Sequence, residues 1–184
     1  SSSFTFLVQM LYGIALLLSN ETLAKLIHFV LGLGVLFTLL AIGKRYASIT
    51  VGLIAGVIFF SVPMVIMNWT VCGVEIGSAW YTLLAVYSFL LYLQQNIEQD
   101  IQRSPNKGLI MAAVFTGFAC ATKYPAFFTV VAGIGLIIYE AFTKRKQNKQ
   151  IFVITLKQAI IFGVISGFVL SPWLLKNFIF FGNP

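Results

Sequence analysis

Two charged side chains stand alone in apolar surroundings. Glu75 opens an apolar stretch and Lys123 closes another, and neither has a second charge near it in the chain. A charge held at a helix centre in a bilayer costs about 2.5–3.5 kcal/mol on insertion scales, and less toward the ends. Glu75 reads in two ways. It is a helix-start acid favoured by the macrodipole, or a carboxylate facing an active site. Lys123 reads as a snorkelling anchor or as a cation for phosphate. An ammonium about 4 Å from a phosphate oxygen gains on the order of 4 kcal/mol at an effective dielectric of 20. Thr122-Lys123-Tyr124-Pro125 breaks a helix, and irregular backbone at membrane depth usually lines a cavity, which favours the phosphate reading. A third group, Trp173, Lys176 and Asn177, sits in the closing segment. Trp173 and Asn177 are four apart and share a face if Pro172 starts a helix. Glu75, Lys123 and Lys176 are then expected to converge on one cavity.

Other residues carry less chemistry. His28 is read first as a packing or interface residue. Trp69, Trp80 and Trp173 read as interfacial anchors. The pairs Gly52/Gly56 and Gly163/Gly167 have the spacing of close helix contacts. Glu140 is expected to pair with Lys144-Arg145-Lys146. Cys72 and Cys120 are too few for a disulfide framework or a metal cluster, and simple buried cysteine is the plainer reading. No zinc spacing, nucleophile elbow or phosphate-cradling loop is present.

These side chains must be positioned by helices in lipid. The chain of 184 residues is 59% hydrophobic and 9% charged, with a mean hydropathy of +0.95. A soluble domain carries roughly a quarter charged residues. Backbone polar groups in a bilayer need internal partners, so only helices or a closed barrel serve. Stretches such as 26–40 are apolar all round rather than alternating. The predicted fold is therefore all-α, a polytopic transmembrane helix bundle within one domain. Its stretches are 4–18 (short, interfacial or re-entrant), 23–43, 48–67, 76–93, 108–123, 126–142 and 151–170, followed by an outer tail, 171–184. Pro125 and Pro172 mark boundaries, because the residue before proline avoids helix. Ser1-Ser2-Ser3 at one end and Gly182-Asn183-Pro184 at the other read as an internal fragment of a longer protein.

If the loops alternate sides, one side receives Lys44, Arg45, Arg103, Lys107, Lys144, Arg145, Lys146, Lys149 and Lys157. The other receives only Lys25, Lys123 and Lys176. The positive-inside rule places the basic side in the cytoplasm and Glu75, Lys123 and Lys176 outside. The net charge of +7 is thus an orientation signal and an attraction to the lipid surface. It is not a nucleic-acid footprint, since no aromatic-basic interleaving accompanies it.

Several segments together resemble one family. Ser171-Pro172-Trp173-Leu174-Leu175-Lys176-Asn177, with Phe181-Gly182-Asn183-Pro184, is similar to the PW-x-x-(K/R)-N … G-N-P signature of bacterial GT-C membrane glycosyltransferases. These are relatives of the protein O-mannosyltransferases and the lipid A aminoarabinose transferase. Gly117-Phe118-Ala119-Cys120-Ala121-Thr122-Lys123-Tyr124 resembles the family's G-x-A-x-x-T-K-Y step. Glu75 falls where the family usually has an Asp. The resemblance implies a polyprenyl-phosphate sugar as donor and attack on C1 by an acceptor hydroxyl or amine. It implies Glu75 as a catalytic carboxylate, with Lys123, Tyr124, Trp173, Lys176 and Asn177 as substrate-binding residues. It also implies a multi-pass protein of the inner or plasma membrane. The main catalytic Asp is expected upstream of residue 1. No cofactor is implied with certainty, and a divalent metal stays open. Two other classes stay open as well: a flippase or transporter of a lipid-linked sugar, and a structural membrane subunit. An acidic residue in a first outer loop would separate enzyme from transporter.

Overall fold

Asn20 starts the first long helix. Its Oδ1 accepts from the backbone N–H of Thr22 at 3.0 Å and of Leu23 at 3.4 Å, satisfying donors that the helix cannot. The acid Glu21 in the first turn and Lys44 and Arg45 in the last suit the macrodipole. The computed structural model describes residues 7–98, 107–145 and 149–181. Its elements are α1 (Leu7–Leu18), α2 (Glu21–Tyr46), α3 (Ile49–Ser61), α4 (Pro63–Thr70), α5 (Glu75–Glu98), α6 (Lys107–Thr122), a 3-10 turn (Tyr124–Ala126), α7 (Phe127–Arg145) and α8 (Lys149–Phe181). No strand occurs among the described residues. The protein is an all-α membrane bundle.

Four segments are long and apolar enough to cross a membrane: Glu21–Tyr46, Glu75–Asn96, Tyr124–Thr143 and Gln150–Ile179. The pair α3 and α4 makes a fifth if counted as one broken span, and α1 and α6 are shorter apolar helices. The stretch expected as one helix over 48–67 is bent by 77° between Ser61 and Pro63. Val62 lies at φ −70°, ψ 121°, the extended conformation forced on a residue before proline.

Pro172 behaves differently from the boundary expected of it. Helix α8 runs through it to Phe181. Proline has no N–H for the Phe168 carbonyl four residues back. The Ser171 hydroxyl donates to that carbonyl instead, at 2.7 Å, and satisfies the group that the proline leaves open.

Helix α6 is the centre of the bundle, packed on α5 and α8. Small residues allow this. A Cβ at Gly108 would come within 2.8 Å of the Tyr92 backbone nitrogen, and one at Gly117 within 2.9 Å of the Ser166 carbonyl. Ala112, Ala113, Ala119 and Ala121 are fully buried, and Ser166 Oγ donates to the Ala113 carbonyl at 3.0 Å. Helices α2 and α3 meet through Gly43 and Gly52. Of the expected glycine pairs, Gly52 and Gly56 are buried in that contact, while Gly167 faces open space and Gly163 meets only Ile134 at 3.6 Å.

Trp69 and Trp80 both pack against α2. Trp69 fills the slot beside Gly32, stacked on Phe29 with centroids 5.7 Å apart. Trp80 lies on Gly34 and donates from Nε1 to Thr38 Oγ1 at 3.1 Å. Glycines on α2 leave indole-sized gaps, which these rings fill. Both cysteines are free, and Cys120 is buried. Arg103, Lys146, the Gly182-Asn183-Pro184 end of the tail, and the side chains expected to pair with Glu140 lie outside the described residues.

Candidate active site

Helices α5 and α6 lie side by side in opposite directions, so the start of one meets the end of the other. Glu75 opens α5, and Lys123 follows α6 in extended backbone at φ −154°, ψ 130°. Pro125 explains the break: it fixes the 3-10 turn and prevents α6 from continuing into α7. The ends of the break are tied by Lys123 N–H to the Ala119 carbonyl and Ala126 N–H to the Lys123 carbonyl, both at 3.0 Å. The side chain left free by this geometry reaches across the helix pair. Lys123 Nζ donates to Glu75 Oε1 at 3.2 Å, with the two side chains 44% and 41% exposed.

This ion pair stands over a cavity of about 440 Å³. Ser78, Ala79, Thr82, Leu83 and Val86 line its α5 wall. These positions follow Glu75 at helical spacing and form one stripe. The cavity therefore has one cation, one carboxylate, two hydroxyls and an apolar remainder. Chemically, such a lining can pair an anionic group with Lys123 and accept hydrogen bonds from hydroxyls at Glu75. Among the described residues no three metal-ligating side chains cluster.

The other expected site residues lie elsewhere. Tyr124 is exposed on the 3-10 turn and does not line the cavity. Trp173 and Lys176 line a second groove, of about 540 Å³, with Pro172 and with Gln9, Met10 and Gly13 of α1. Asn177 is buried, 2% exposed. Lys176 is thus not among the residues that line the cavity of Glu75 and Lys123. Lys176 lies near the end of α8, in the groove that the helix forms with α1.

Two further features escaped the sequence reading. Ser78 and Thr82 lie three and seven residues after Glu75, a spacing that would have identified them. Tyr12 had no such signal. It is buried and lies with His28 beside the segment that leads into Glu75. His28 Nδ1 is 2.6 Å from the Tyr12 hydroxyl, His28 Nε2 donates to the Asn68 carbonyl at 2.9 Å, and Tyr12 Oη donates to the Gly73 carbonyl at 3.1 Å.

A family model described as dolichyl-phosphate-mannose-protein mannosyltransferase matches residues 7–181. No curated protein and no solved structure matches the chain significantly.

Proposed function

The chain belongs to the dolichyl-phosphate-mannose-protein mannosyltransferase family, which makes it a membrane glycosyltransferase, and from that premise we propose how it works. It transfers a sugar from a polyprenyl-phosphate donor to an acceptor on the outer face of the cell membrane. The observation that carries this reading is the Lys123–Glu75 pair over the α5 cavity.

Lys123 binds the donor phosphate. An ammonium already held by one carboxylate is well placed to exchange it for the donor phosphodiester, which carries the same single negative charge and offers two unesterified oxygens to the same donor. Glu75 is then released to accept a hydrogen bond from the sugar or the acceptor and to orient it. The acceptor hydroxyl or amine attacks C1 of the sugar, its proton passes to a carboxylate base, and the bond from C1 to the phosphate oxygen breaks. The polyprenyl phosphate leaves with the bonding pair. Its charge grows in the transition state, so a fixed cation acts there more strongly than on the intact donor. Ser78 and Thr82 supply neutral hydrogen-bonding groups along the cavity wall.

The test compares two lysines. Lys123→Ala in the enzyme in membranes is expected to weaken donor use strongly, whereas Lys149→Ala trims a basic cluster at the other end of the bundle and leaves it nearly unchanged. Equal, small effects on donor kinetics would remove Lys123 from the site.

A further inference from the structure

The carboxylate of Glu75 is only as well placed as the backbone that presents it. That backbone is a short non-helical link, residues 71–74, between α4 and α5. Gly73 in this link is contacted from two sides. A Cβ there would lie 2.5 Å from Glu75 Oε2, so the carboxylate folds back over the glycine. On the other side its carbonyl accepts the Tyr12 hydroxyl at 3.1 Å. Tyr12 is 8% exposed and is itself fixed by His28, 2% exposed, at 2.6 Å. The far nitrogen of His28 faces the Asn68 carbonyl of α4 at 2.9 Å. A carbonyl only accepts, so Nε2 carries a proton. The one hydroxyl proton of Tyr12 is then shared between two acceptors, Nδ1 at 2.6 Å and the Gly73 carbonyl at 3.1 Å, and the Gly73 contact is the longer branch of a three-centre hydrogen bond. The result is one chain of hydrogen bonds, buried at its centre, from α4, through α2 and α1, to the link that carries Glu75.

We propose that Tyr12 and His28 are positioning residues for Glu75, acting through the Gly73 carbonyl. The proposal rests on the role given to Glu75 above. Neither side chain lines the cavity, and neither touches substrate. Buried networks of this kind define one geometry, because each unmade hydrogen bond leaves a desolvated group behind. Without the Tyr12 hydroxyl the link loses its side-chain tether, and the carboxylate samples positions from which it does not orient the sugar or acceptor.

The experiment is steady-state kinetics of the enzyme in membranes, with protein level read in parallel. Tyr12→Phe removes one hydroxyl and keeps the ring. It is expected to lower kcat about tenfold with little change in donor KM. His28→Leu is expected to do the same. His28→Gln, whose amide both donates and accepts, is expected to restore most of the loss. In a Glu75→Gln background, Tyr12→Phe is expected to add nothing, since residues acting as one unit are not additive. Unchanged kcat in Tyr12→Phe beside a strong loss in Glu75→Gln would overturn the relay and leave the site intact. A further loss on adding Tyr12→Phe to Glu75→Gln, or no rescue by His28→Gln, would also overturn it. Full turnover in Glu75→Gln alone would remove both the role of Glu75 and the relay built on it.

Discussion

The Lys123–Glu75 bridge spans 3.2 Å with both partners more than 40% exposed. An exposed pair of this kind adds about 0–1 kcal/mol to stability. That is too little to explain a cation and a carboxylate isolated at the mouth of a cavity, and it separates stability from function at this site. Glu75→Gln is expected to leave protein level and melting temperature nearly unchanged while kcat falls on the order of 10²-fold, the lower end for a positioned acid or base. Thermal melts in detergent beside turnover measurements distinguish this from a helix-start acid. Loss of the macrodipole interaction alone costs about 0.3–1 kcal/mol and leaves turnover intact. Lys123→Arg keeps the charge but replaces a compact ammonium with a planar fork. It is expected to retain more donor affinity than Lys123→Ala, read as donor KM. Equal KM values for the two variants would show that charge at this position is irrelevant to the donor.

At the scale of the helix, glycine means different things at different places. Gly108 and Gly117 let α6 approach the backbones of α5 and α8, and a methyl group at either forces two helices apart. Gly117→Ala is expected to cost about 1–3 kcal/mol, the range for overpacking in a filled interior. Gly167 faces open space in the same bundle. Gly167→Ala is expected to be neutral or to stabilise by up to about 1 kcal/mol through helix propensity. Melting temperatures in one detergent measure both. The same ordering bears on the site, because α5 and α6 bring Glu75 to Lys123. Gly117→Ala is therefore expected to reduce activity, and Gly167→Ala to spare it. The helix through Pro172 makes a related case. Ser171→Ala removes the hydroxyl that satisfies the Phe168 carbonyl and is expected to destabilise the last turns of α8, where Trp173 and Lys176 sit. Slower proteolysis or unchanged hydrogen exchange in that segment would contradict this.

Across the whole molecule the two ends of the bundle differ in character. One end gathers Tyr12, His28, Asn68, Gly73, Glu75 and Lys123 through the contacts described above. At the other, Arg45 Nε donates to Gln94 Oε1 at 3.0 Å and Tyr92 Oη to Gln158 Oε1 at 2.7 Å. Among the described residues Lys44, Arg45 and Lys107 lie at this second end, and the nine-to-three division of Lys and Arg along the sequence predicts that the Glu75–Lys123 end faces outward. In a background with Cys72 and Cys120 replaced, single cysteines at 25 and 45 are to be labelled with a membrane-impermeant thiol reagent. Position 25 is expected to label in intact cells and position 45 only after permeabilisation. The reverse pattern would invert the topology and move the site to the cytoplasm.

Composition and hydropathy alone determined the class. A chain this apolar, with backbone groups to satisfy in lipid, has helices as its solution, and the isolated Glu75 and Lys123 were legible as charges that need a reason to be there. The motif around Lys123 was legible too, because Pro125 disfavours helix at the residue before it and removes a backbone donor. Tertiary structure decided what depends on neighbours. Helix α8 runs through Pro172, with the Ser171 hydroxyl on the Phe168 carbonyl, and Lys176 lies in a groove with α1. The gaps that Trp69 and Trp80 fill are left by glycines of α2 more than thirty residues from either tryptophan along the chain. The tether from His28 through Tyr12 to Gly73 joins residues 16 and 61 positions apart. Hydrogen bonds across such distances leave no period in the sequence, since each partner answers to its own helix and only packing brings them within reach.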